Sequence, residues 1–533
     1  MPNNMYVIVV RRVLALVLIM MATVKLTASE PTEKADPRNH IIRANREGLA
    51  IDPLTEEPFQ RAEDFAAYMD EIFARAEAFG RQRSGTNPPV VRLFVHVHGG
   101  LNGFDDTQKR MELVPIMMRE RNDWYYPVFL VWPSGFFGTY GEHLLSIRQG
   151  HKVMPLYGVL SLPVVLLLDV ASAIVTTPRH WLYQVQNSKD RLVAGGFLPH
   201  ALLNRSWRVE DRMVQALTNP PANAPIYQSR YLYSFGEKVG RGCEDALQAP
   251  VRATVGTLLQ STMAQESWRN MNRRTSLLFY PSAMFDLEAR DPSRGIEEVQ
   301  ERSGSAFFRA LIARIKSSRE RGISYEITFV GHSMGAIVLN KLFTEYRRQL
   351  IETRAIRNIV YMAAACSINS GVNAIKPLLL AYNTNNGSSN GSSGTPPPRP
   401  TLRFYNLTLN RVAEISERNA AGLAPCGSLL DNIDDHLESP DTPLDRTLGS
   451  EVNILSAVEV FQEVFAFCEF KSFDRMPGHY PTGHGQFHLC PFWRHTFWDK
   501  DYFVPEETTK HRPTERNCYP KDWIKQEKSG KYF

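Results

Sequence analysis

The pentapeptide Gly331-His332-Ser333-Met334-Gly335 constrains the fold of this chain more than any other segment. It follows the apolar run Ile327-Thr328-Phe329-Val330 and precedes Ala336-Ile337-Val338-Leu339. That pattern predicts a strand, a turn too tight for ordinary side chains, and a helix. Glycines at both ends let the helix and strand backbones approach closely, which strains the apical residue and lifts its side chain clear. The apical residue is Ser333, and the helix start beside it offers backbone N–H groups and positive potential.

Around this unit the chain alternates between strand-like and helix-like segments. Glu57 to Gly80 has helical apolar spacing, with Gly80 as its stop. Val90 to Val97 and Pro127 to Trp132 read as short buried strands with a helix from about Asp105 to Arg119 between them. The rhythm resumes at Leu277 to Tyr280. It continues through a helix from Ile296 to Arg321, the strands Arg357 to Ala364 and Leu402 to Leu409, and a last strand Val464 to Phe473. The expected fold class is α/β, with a mostly parallel central sheet flanked by helices. Residues 47–135 and 276–497 form the core, and residues 136–275 form a large, mainly helical insertion.

Within the insertion, Val153 to Val175 is uncharged except for Asp169 and contains Pro155 and Pro163. Three placements stay open: a lid or membrane-interface helix, a buried helical pair, or a bilayer span. Residues 383–400 are Asn/Gly/Ser-rich and then Pro-rich, a surface loop by composition. Residues 498–533 carry no assignable pattern.

At the N-terminus, Arg11-Arg12 precede the apolar stretch Val13 to Val24, with small residues near Ala28. Residues 1–28 read as a signal peptide or an N-terminal membrane segment, which implies a secreted, periplasmic or membrane-associated protein. The net charge of +5 over 533 residues is small and dispersed. It excludes nucleic acid as an expected partner and leaves room for contact with a membrane surface. Of the six cysteines, Cys426, Cys468, Cys490 and Cys518 fall late in the chain. They are read either as two disulfides or as buried thiols.

After the strand at Val90 comes His98-Gly99-Gly100-Leu101, a glycine-rich loop. Together with the pentapeptide it gives the chain a resemblance to the α/β-hydrolase fold, in particular to its lipase and esterase members, whose nucleophile elbow has the form G-x-S-x-G. The resemblance covers roughly residues 90–133 and 277–488. It implies that Ser333 is the nucleophile and that the oxyanion hole takes the N–H of Met334 and of Gly100, with Leu101 as the alternative to Gly100. It also implies a lid or cap for the insertion, and a chain order of Ser, then acid, then His. His484, in the loop Pro481-Thr482-Gly483-His484-Gly485 after the last strand, is then the expected base, with His488 and His479 in reserve. Glu414 is the first carboxylate after the strand Leu402 to Leu409, and Asp434 and Asp435 are rivals. Many members carry Asp just after that strand where this chain has Asn410, so the acid stays open.

The activity implied is hydrolysis of lipid or acyl esters through a Ser-His-acid triad and an acyl-enzyme. The same residues would serve an acyltransferase, and a non-catalytic hydrolase-fold binding module is the rival from another class. No cofactor is expected. The spacing of His96 and His98, with His484 and His488 later, also permits a metal site, but no H-E-x-x-H motif or carboxylate ligand accompanies it.

Overall fold

The computed structural model of the chain describes residues 35–100, 114–119, 124–148, 151–152, 154–194, 226–228, 260–280, 302–384, 401–409, 427–438, 440–473 and 483–488, with isolated positions between them. The expected N-terminal targeting segment, nearly all of the 383–400 loop and the tail beyond Trp498 lie outside the described residues.

The strands are β1 (Ile41–Ala44), β2 (Ala50–Ile51), β3 (Val90–Val97), β4 (Tyr126–Val131), the small hairpin β5 (Ile147–Arg148) and β6 (His151–Lys152), β7 (Ile226–Gln228), β8 (Ser324–His332), β9 (Ile356–Met362), β10 (Arg403–Leu409) and β11 (Cys468–Phe473). All but the hairpin form one sheet in the order β2-β1-β4-β3-β8-β9-β10-β11-β7. Every neighbouring pair in it is parallel except β1 with β2. β3, β4, β10 and β11 are buried along nearly all of their length, and β4 is wholly apolar, because parallel sheets are covered on both faces.

Side-chain parity assigns the two faces. Phe329 of β8 packs between Phe308 and Phe343, on the helices Ser303–Glu320 and Gly335–Glu345. Phe73 of the helix Ala62–Arg83 stacks on Phe307, and Phe461 of the helix Glu451–Phe461 stacks on Phe404. On the opposite face, Phe94 and Tyr405 pack against Trp498, a fully buried residue at the start of the unassigned tail.

Three departures from the sequence reading have simple physical causes. Gly80 does not stop its helix, which runs on to Arg83. A Cβ there would come 2.9 Å from the carbonyl oxygen of Val90, so the glycine marks where helix and strand cross. Leu277 to Tyr280 is no strand. Leu277 ends the helix Gln265–Leu277, and the N–H groups of Phe279 and Tyr280 both return to the carbonyl of Ser276. Nor is the segment between β4 and β8 only helical, because β7 pairs with β11 at the sheet edge. Its helices Phe136–Leu145, Pro155–Ala194 and Gln265–Leu277 pack together.

Cys366 and Cys468 are buried free thiols. Cys468 donates to the carbonyl of Val464, so the four late cysteines do not form two disulfides here.

The chain passes from β3 to β4 on one side of β3 and returns to β8 on the other. The carboxyl ends of β3 and β8 therefore flank a topological switch point, where open α/β sheets bind ligands.

Candidate active site

Ser333 follows the last residue of β8 and has φ +52°, one of few non-glycine residues in the left-handed region. A backbone strained in this way needs its surroundings to hold it. Here the N–H of Ser333 donates to Met362 at the end of β9, and its carbonyl accepts from Ala336 and Ala365. Ala363, the next residue past β9, is itself at φ +46° and donates to Leu407 of β10. Three strand ends thus fix the turn.

The glycines are dictated by crowding. A Cβ at Gly335 would run into the carbonyl of Val97, because the new helix starts against the end of β3. A Cβ at Gly99 would come 2.8 Å from the Cβ of Ser333. At Gly100 it would meet the Sδ of Met334, with the Sδ of Met271 at 3.5 Å. The loop after β3 therefore lies directly over the serine. Among the described residues the N–H of Met334 meets no protein acceptor.

His98 holds this loop. Its Nδ1–H donates to the carbonyl of Gly99 at 2.8 Å, its Nε2 accepts from the N–H of Trp132 at 3.2 Å, and its ring stacks on Trp132. With both ring nitrogens used, His98 has no lone pair to offer a metal. His96 is buried within the sheet between Phe94 and Phe129. Among the described residues no group of three or more His, Cys, Asp or Glu side chains is placed to hold a metal ion.

His484 lies beside the elbow, in the short 3₁₀ helix His484–His488. The Nε2–H of His332 donates to its backbone carbonyl at 3.0 Å, and the two rings are 5.3 Å apart. Both ring nitrogens of His484 and the Oγ of Ser333 are buried and make no hydrogen bond among the described residues. Burial, and then the neighbouring His332, hold the His484 imidazole well below the usual histidine range, so it is neutral at physiological pH. The backbone of His488 belongs to the same helix, and His479 lies outside the described residues.

Glu414 is fully buried, and its Oε2 accepts from Ser450 at 3.0 Å. The neighbouring Gly449 donates to Ala364, one residue from the Ala365 amide that binds Ser333. This chain of contacts ties Glu414 to the carboxyl ends of the same strands as the serine. Asp434 is spent elsewhere: its oxygens accept from the N–H and hydroxyl of Thr447 and from Asn453, and burial pushes its carboxyl up to about 7. Asp435 is half-buried beside it.

A fourth carboxylate escaped the sequence reading. Glu417, whose N–H donates to the carbonyl of Glu414, accepts the backbone N–H of His484 at 2.8 Å. Its only signal in the sequence is its position one helical turn beyond Glu414. His332 was hidden in plain view as a variable position of the pentapeptide.

No protein-family model, curated protein or solved structure matches the chain.

Proposed function

We propose that this protein is a serine hydrolase of the α/β-hydrolase type that cleaves ester bonds of lipid or acyl substrates. The observation that carries the proposal is Ser333 itself: a buried serine at positive φ, its hydroxyl unpartnered, beside a neutral histidine whose ring nitrogens are also unpartnered. Buried polar groups are normally satisfied, and exceptions that cluster at a strained turn mark chemistry.

In this reading Ser333 Oγ attacks the ester carbonyl, and His484 takes the serine proton and passes it to the leaving alcohol. Water then cleaves the acyl-enzyme. The N–H groups of Met334 and Gly100 receive the oxyanion, each worth about 3 kcal/mol to the transition state. Glu414 serves as the acid behind His484, and Glu417 fixes the backbone of the histidine loop. Support for an apolar acyl group comes from Met271 and Met334, whose thioethers flank Gly100. The segment 136–275 is then the cap, since its helix Gln265–Leu277 supplies Met271.

A fluorophosphonate probe tests the proposal directly. The wild type is expected to label covalently, and Ser333→Ala to lose the label. An unlabelled wild type would favour a non-catalytic binding module, and a Ser333→Ala variant that labels as well would place the reactive nucleophile elsewhere; either result overturns the proposal.

A further inference from the structure

The helix Pro155–Ala194 is built inside out. The most apolar 18 residues of its stretch Leu156–Leu182 have a mean hydropathy of 2.3, yet only 17% of them are buried. The buried positions Gly158, Val165, Ala173 and His180 form one narrow stripe. Asp169 lies on that stripe and turns inward. It accepts from the Tyr140 hydroxyl at 3.0 Å and from His143 at 3.2 Å, both on the helix Phe136–Leu145. Leu160, Val164, Leu167, Leu168, Ile174 and Val175 all point outward, with Leu160 70% and Val175 78% exposed. At 100° per residue the exposed apolar side chains sweep about 200° of the helix circumference. Their area is on the order of 1,000 Å², beyond the few hundred expected of the largest apolar patch on a soluble monomer.

From this geometry we infer that the outer face of Leu156–Leu182 docks into one leaflet of an anionic lipid membrane, with the helix lying along the surface. Charge complementarity points to that occupant. The nearest charged residues in sequence on either side of the stretch are cations, Lys152 and Arg148 before it and Lys189 after it, and Arg179 lies in its last turn; these suit lipid phosphates. Tyr157 and Trp181, both exposed, sit at its two ends, where amphipathic rings favour the headgroup level. A protein partner would cover a strip of this helix, whereas acyl chains cover the whole arc.

The inner stripe excludes a crossing helix. It is packed against the helix Phe136–Leu145 and the turn Gln260–Ala264, and Phe136–Leu145 is in turn joined to the helix Gln265–Leu277 that follows that turn, the two carrying Glu142, Glu266, Arg269 and Arg274. A span would drag those charges into hydrocarbon. Lying flat, the helix meets lipid on one side and the protein on the other, as in monotopic membrane proteins.

The test is a photo-crosslinking scan of the full chain on vesicles of phosphatidylcholine and phosphatidylglycerol. Benzoylphenylalanine is placed at Leu167 or Val175, and at Arg348, an exposed residue far in sequence, as the control. Lipid adducts at Leu167 and Val175 are expected to exceed the control by about tenfold, as acyl-chain burial requires. Adducts no higher than the control overturn the inference, as do adducts to a second copy of the chain. The inference is independent of the catalytic proposal. The same scan in Ser333→Ala is expected to be unchanged, so failure of docking and failure of catalysis read out separately.

Discussion

The elbow and the apolar helix break the same rule in opposite directions. Around Ser333, polar atoms are buried without partners. Along Leu156–Leu182, apolar side chains are exposed while the one carboxylate turns inward. A core buries apolar groups and satisfies its polar ones, so each violation costs stability locally. The two regions differ in how that cost is carried. Three strand ends and the close packing at Gly99, Gly100 and Gly335 hold the elbow, so its strain is rigid. The helix is held by one stripe and a polar latch at Asp169, and an apolar phase would relieve its exposure. Rigid violation suits positioning a nucleophile, and relievable violation suits a surface that meets something.

The largest predicted effect breaks the comparison at its catalytic end. Ser333→Ala is expected to lower kcat for a soluble ester by about 10⁴-fold or more while leaving the unfolding midpoint nearly unchanged. Steady-state kinetics and denaturant titration check this together. Because burial depresses the His484 pKa, its neutral form persists below the usual histidine range. The acidic limb of kcat/KM should therefore lie on the acid side of pH 6.5, the ordinary histidine value. A limb at or above that value would contradict the role given to His484.

Next comes the acid. Glu414→Gln is expected to cost about 10²- to 10⁴-fold in kcat, and Glu417→Gln less, because Glu417 binds the backbone of His484 and not its ring. The reverse ranking would transfer the acid's role to Glu417. These two residues show where legibility ends. The elbow, its flanking strands and the loop at His98 could be read because each is a local pattern of apolar runs and glycines. The surroundings of two carboxylates one turn apart were not legible: Ser450 returns from 36 residues further along to bind Glu414, and Glu417 binds the backbone of His484, 67 residues later. The helix at Leu156 repeats the lesson. Its composition was plain, but the inward turn of Asp169 is set by Tyr140 and His143, nearly 30 residues earlier.

The same substitution in the elbow and in the helix that latches the apolar one sharpens the contrast. Gly335→Ala puts a Cβ into the carbonyl of Val97 and is expected to cost about 3 kcal/mol. Gly138→Ala, in the helix Phe136–Leu145, meets nothing within 4 Å and is expected to stabilise by about 0.5–1 kcal/mol. Urea unfolding of both variants measures the difference. Equal effects would mean that the elbow is looser than its contacts imply.

The smallest effect concerns the joint between the two regions. Lys341, on the elbow helix Gly335–Glu345, donates to Thr275 and Ser276 at the end of the helix Gln265–Leu277. It is largely buried, and no carboxylate pairs with it among the described residues. Burial lowers its pKa to about 8. Between pH 8 and the unfolded value of about 10.4, the unfolded chain binds the extra proton, so stability rises with pH across that window. Below pH 8 both states are protonated, and the buried charge exerts its full cost. Lys341→Met should therefore remove the alkaline rise and stabilise the protein at pH 7 by about 1 kcal/mol, read from urea midpoints at pH 7, 8.5 and 10. If the variant is less stable at pH 7, the two hydroxyl contacts outweigh the buried charge. The joint is then a fastening between the elbow and the region that carries the apolar helix.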